Sequence, residues 1–73
     1  MTPDELKSIR RSLGLTADAF AALVRVANGR TVRKWEAGDR DIPGPVIVLA
    51  EGIRDHSSVR KWLGVEIKGT EGG

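Results

Sequence analysis

Between Arg25 and Lys34 the chain carries four cations and no acid, and inside that stretch Val32 and Trp35 stand three residues apart. That spacing restricts the fold. Alternate residues of a strand share a face, whereas residues three and four apart share a face of a helix. Val32 and Trp35 have opposite parity, so a strand buries only one of them on a given side. A helix buries both and turns Arg30, Arg33 and Lys34 outward. Asn28-Gly29 between apolar residues is also a hairpin signal, but the parity of the apolar pair decides for a helix over residues 28–37. Asn28 is then its N-cap, Gly29 its first helical residue and Gly38 its stop.

The remaining chain is punctuated in the same way. Thr2-Pro3-Asp4-Glu5 has the order of a capping box with proline at the first helical position, and Leu6, Ile9 and Leu13 follow at helical spacing until Gly14. Thr16 caps a second helix with Phe20, Leu23 and Val24 on one stripe among helix-favouring alanines. After Gly38 the run "DRDIPGP" reads as a loop, and Pro45 opens a stripe of Val46, Leu49, Ala50 and Ile53, expected to be the most buried helix. Ser57 or Ser58 caps a short helix bearing Val59, Trp62 and Leu63, stopped by Gly64. Beyond it, residues 65–73 show no packing pattern and are expected to form a flexible tail. The pattern predicts an all-α, compact five-helix domain over residues 1–64.

At 73 residues the chain supports one modest core, with no cysteine for a disulfide or a Cys-based zinc site. An elaborate enclosed active site is not expected. The polar start "MTPDELKSIRR" and the short apolar run from Val46 to Ala50 argue against a signal peptide or membrane span. A soluble cytoplasmic protein is expected, with no membrane partner. The net charge of +2 is unevenly spread: residues 1–40 hold eight Lys/Arg against five Asp/Glu, and residues 41–73 hold four against five. The positive field belongs to the first half. His56 has no partners at metal-ligand spacing, and Asp39 and Asp41 flank a Gly/Pro loop without a base or nucleophile nearby. Neither catalysis, a metal, a cofactor nor a small-molecule ligand is expected.

Two short helices joined by a tight turn, the second with a basic front, suit the major groove of B-DNA, which is about 12 Å wide and admits one helix. The free N–H groups at the second helix's amino end suit a phosphate, and Gly29, without a side chain, allows close approach.

The segments "IRRSLGLT" at 9–16, "FAALV" at 20–24 and "TVRKWEAGDRDIP" at 31–43 resemble the λ-repressor-like, or Cro/XRE, helix-turn-helix family. The resemblance spans roughly residues 4 to 55. It implies a five-helix domain that binds operator-like duplex DNA, commonly as a dimer, and regulates transcription. By position it puts Gly29, Arg30 and Lys34 at base edges, Thr31 and Arg33 near the same edge, and Arg40 at a phosphate. The contacts expected are Gly29, Arg30, Arg33 and Lys34 to bases, and Thr16, Asn28, Thr31 and Arg40 to phosphates. The resemblance further implies that Ala21 lets two helices cross closely and that Arg10 and Glu36 form a structural ion pair. Ala17 departs from the glutamine frequent in the family at that position, and Arg25 stands where the family's turn usually has glycine. One extra residue also separates Val26 from Thr31.

The function expected from the sequence is a sequence-specific, double-stranded-DNA-binding transcriptional regulator of the repressor type. A homodimer on DNA is expected, with Trp62, Leu63 and Val65 as candidate dimer contacts. The competing expectation keeps the fold but makes it a protein-interaction or antitoxin-like module that binds a protein partner.

Overall fold

Five helices follow one another in the computed structural model, which describes residues 1–68, and each begins or ends for a local reason. Helix α1 (Pro3–Ser12) opens with a reciprocal capping box: the Glu5 N–H donates to Thr2 Oγ1 at 3.1 Å and the Thr2 N–H donates to Glu5 Oε1 at 2.7 Å. Gly14, at φ +70, ends it. Helix α2 (Ala17–Leu23) is capped by Thr16, whose Oγ1 accepts the Ala19 N–H at 3.1 Å. The chain then reverses at Arg25, which adopts φ +65, and the Val26 N–H returns to the Ala21 carbonyl at 2.9 Å.

Helix α3 (Gly29–Ala37) starts behind Asn28, whose Oδ1 accepts the Thr31 N–H at 3.3 Å. It stops at Gly38, φ +81, where the Gly38 N–H meets the Trp35 carbonyl and the Asp39 N–H meets the Lys34 carbonyl. Val32 is 0% exposed and Trp35 3%, so the stretch that was open to two readings is helical with both apolar side chains inside.

Helix α4 (Gly44–Asp55) begins at Gly44 behind Pro43, with Pro45 inside its first turn and no side-chain cap. Val46, Ala50 and Ile53 are buried and Leu49 is partly so, whereas Val48 faces solvent. α4 therefore buries one stripe, as α1 to α3 do, and does not stand out as the most buried helix. Helix α5 (Ser57–Leu63) follows after a single residue, His56, which ends α4 and caps α5 without a side-chain hydrogen bond. Neither serine is the cap, because one extended residue is enough to turn the chain here. Arg60 steadies the junction by donating to the carbonyls of Ile53 at 2.6 Å and Arg54 at 3.2 Å, which lack helical partners at that end.

α2 packs on α3, α1 packs on both α3 and α4, and α4 packs on α5. The core at their meeting point is led by the fully buried Phe20, Leu6, Leu13, Ile53 and Val32. No strand occurs among the described residues. The radius of gyration, 11.3 Å, matches the roughly 11 Å of a compactly folded chain of this length.

The ordered chain does not stop at Gly64. The Lys68 N–H donates to the Ser12 carbonyl at 2.7 Å, and Val65 packs partly against the core. Residues 65–68 thus lie back against the end of α1, tied there by backbone, in place of the expected free tail. The rest of that expected tail, residues 69–73, lies outside the described residues. No described helix is long and apolar enough to cross a membrane.

Candidate nucleic-acid interface

Burial of Val32 and Trp35 fixes which way α3 faces. With about 100° between successive residues, Arg30, Arg33, Lys34 and Ala37 occupy the outward arc. Arg30 and Arg33 are exposed and Lys34 is half-buried. None of the three cations forms an ion pair among the described residues. Arg25 and Arg40, also exposed, carry the positive charge beyond both ends of the helix.

Gly29, expected at the DNA surface, is buried instead against the start of α2. Its N–H donates to Asp18 Oδ1 at 2.8 Å. A Cβ added there would fall 2.7 Å from the Asp18 nitrogen and 2.9 Å from the Ala17 carbonyl carbon, with the Asp18 carboxylate closer still. The glycine is required for close packing of α3 on α2, so it offers no contact to a base. Ala17, small and buried, completes this approach. The contribution of Asp18 escaped the sequence pattern, which marks only a first-turn acid of α2 and carries nothing about a partner eleven residues away.

The same contacts change the expectation for the amino end of α3. Two of its first N–H groups are already used, Gly29's by Asp18 and Thr31's by Asn28. A carboxylate beside that end opposes an incoming phosphate, so it is not the open anion cradle that helix dipoles otherwise provide. Asn28 retains its amide N–H groups, because only Oδ1 is committed to the cap. Thr16 likewise accepts one bond through Oγ1 and keeps its hydroxyl proton to donate. Thr31 is half-buried on the flank of α3, and Arg40 extends from the loop after Gly38 without a side-chain bond among the described residues.

Behind this surface Arg10 and Glu36 meet as a two-pronged pair. Arg10 Nε donates to Glu36 Oε2 at 2.7 Å, its Nη2 donates to Oε1 at 3.0 Å, and Nη1 donates to the Leu15 carbonyl at 3.0 Å. The side chains are only 15% and 7% exposed. The bond to Glu36 raises the Arg10 pKa further above its ordinary value, against the opposing effect of burial. One guanidinium therefore joins α1, the α1–α2 link and the carboxyl end of α3. That brings the expected ion pair together and keeps α3 from rolling on α1.

The C-terminal candidates separate. Trp62 is 80% exposed. Leu63 and Val65 are partly buried against the chain's own core and line a shallow hollow with Leu15, Ala19, Leu23 and Arg25. His56, Asp39 and Asp41 are exposed, and the described residues contain no group of three or more His, Asp or Glu side chains that could hold a metal ion.

No protein-family model matches the chain, and no curated protein matches it significantly.

Proposed function

We propose that the chain is a sequence-specific, double-stranded-DNA-binding transcriptional regulator of the repressor type, with α2 and α3 acting as a helix-turn-helix of the λ-repressor-like kind. One observation carries this reading. Exposed cations without ion-pair partners stand on the outer arc of a helix whose inner arc is locked by Val32, Trp35 and the Arg10–Glu36 pair. Such a helix can enter a major groove without rearranging.

Arg30 and Lys34 lie on one stripe of that arc and read base edges, guanine being the usual partner of arginine through its paired acceptors. Thr16, Asn28, Thr31 and Arg40 hold phosphates through side-chain donors, not through the backbone of the α3 amino end, and set the register. Two copies on two half-sites, touching through Trp62, would exclude polymerase from the same duplex. Selection of bound duplexes from a random pool identifies the site. Arg30→Ala then loses about 1 to 3 kcal/mol on the selected duplex and little on a scrambled one, while Arg40→Ala weakens both alike. Equal losses by Arg30→Ala on the two duplexes would refute base reading.

The exposed Trp62 and the carboxylate at the amino end of α3 favour a second reading, a module that binds a protein partner. Capture of that partner undiminished by nuclease treatment, with no duplex selected from the pool, would replace the first reading by the second.

A further inference from the structure

Lys7 and Arg11 stand one turn apart on α1 and so share a face. That face looks across an open concavity of about 490 Å³ towards Arg33 of α3, with Thr16 and Ala17 at its edge. Its floor is the Arg10–Glu36 pair, in which each charge already satisfies the other. No other carboxylate lines the hollow, and Lys7, Arg11 and Arg33 form neither an ion pair nor a side-chain hydrogen bond among the described residues. Three like charges around one hollow repel one another, and an anion seated between them removes that cost. The hollow is open to solvent, which suits a passing strand more than an enclosed small molecule.

The turn of α3 explains why Arg33 belongs to this hollow. Arg33, Glu36 and Ala37 share one stripe, and Glu36 is fastened to α1 by Arg10. Arg30 and Lys34 form the neighbouring stripe, turned away from α1. Lys7 and Arg11 are separated by about 6 Å along their helix, so they can meet different phosphates of one strand. We infer that the concavity between α1 and α3 holds the phosphodiester backbone of the strand bordering the groove, gripped by Lys7, Arg11 and Arg33. Base reading then falls to Arg30 and Lys34 alone. This inference rests on the DNA reading above and extends the footprint across α1.

Binding of wild type, Lys7→Gln/Arg11→Gln and Arg33→Gln to the selected duplex and to a scrambled duplex, over a salt series, tests it. Each lost phosphate contact flattens the log–log salt slope by about 0.9. The double variant is expected to lose about 1.8 in slope, so the wild-type advantage shrinks about tenfold between roughly 50 and 200 mM salt. It loses the same factor on both duplexes, and so does Arg33→Gln, with about 0.9 in slope. A wild-type slope in the double variant, or a loss by Arg33→Gln confined to the selected duplex, overturns the assignment while DNA binding stands. Failure of the wild-type protein to bind either duplex removes the DNA reading itself.

A second measurement reads position along the DNA in place of affinity, with one cation replaced at a time. The chain has no cysteine, so Lys7→Cys and Arg40→Cys each supply one thiol for a tethered iron chelate that cleaves nearby DNA with hydroxyl radicals. Strand cleavage from position 7 at the edge of the selected site supports the inference. Cleavage from position 40 with none from position 7 overturns it.

Discussion

Arg25 holds a left-handed backbone at φ +65, the one such position among the described residues not occupied by glycine. A side chain there costs about 1 to 2 kcal/mol through the clash of Cβ with the following carbonyl. Glycine relieves the clash but gives up part of the gain to its freer unfolded chain. Arg25→Gly is therefore expected to stabilise the domain by about 0.5 to 1 kcal/mol, a rise of a few degrees in Tm for a domain of this size. A melting temperature at or below wild type would mean that the arginine side chain makes an offsetting contact. Gly29 should behave oppositely. Its Cβ position is filled by the backbone of Ala17 and Asp18, so Gly29→Ala forces α3 away from α2. We expect a loss of about 1 to 3 kcal/mol from overpacking, read by thermal melting, and a larger loss of affinity on the selected duplex than on a scrambled one. The contrast shows what sequence carries. Asn28 as a cap is legible because its partner, Thr31, is three residues away. Gly29 as a packing residue is not, because its partner lies in another helix.

At the scale of the element, local punctuation gave four of the five helices their starts or stops, through Thr2, Thr16, Asn28, Gly14, Gly38 and Gly64. It failed where backbone alone makes the link. His56 caps α5 without a side-chain bond, and residues 65–68 are held by a backbone bond to Ser12, which leaves no residue-type signature. The Arg10–Glu36 pair lies between these cases: the resemblance implied it, and only the fold shows it nearly buried and joined to Leu15. Removing one partner of such a pair strands a charge. Arg10→Met should cost about 3 to 5 kcal/mol, whereas Arg10→Met/Glu36→Leu should recover most of the loss, since apolar side chains of similar volume often replace a buried pair without penalty. Denaturant unfolding of both variants measures this, and a double variant no more stable than the single would show that the pair itself, beyond its satisfied charges, holds α3. α1 supplies a pH test. The Thr2 N–H donated to its carboxylate lowers the Glu5 pKa, so this group's stabilisation is complete above the unfolded value near about 4.3 and is lost as pH falls through the lower folded value. Glu5→Gln keeps the acceptor without the titration. Its melting temperature should fall less steeply than wild type between about pH 5 and 3, and identical acid slopes would remove the capping carboxylate from the acid sensitivity of the fold.

For the whole molecule the proposed function raises the question of how a domain this small would bind a specific site. On that reading one helix and a few phosphate contacts per copy would give a small interface, since single DNA-reading modules bury only about 600 to 1,000 Å². A second copy supplies the remainder if it is held at the right spacing. Trp62, 80% exposed while Trp35 is buried, is the large apolar side chain most available for that contact. A single tryptophan on each side falls well short of the roughly 1,200 Å² of a stable interface, so the free protein should be largely monomeric. On a duplex with two half-sites the DNA itself acts as the linker, and an effective concentration in the millimolar range makes even a weak contact count. Trp62→Ser should therefore leave the melting temperature near wild type, because an exposed side chain adds little to folding. It should leave binding to a single half-site unchanged and weaken binding to the paired site. Fluorescence gives an independent reading in a Trp35→Phe background. Iodide quenches Trp62 in the free protein, and the paired duplex should shield it where the single half-site does not. Equal quenching on both duplexes, together with equal affinities of Trp62→Ser and wild type for the paired site, would show that copies bind side by side without touching.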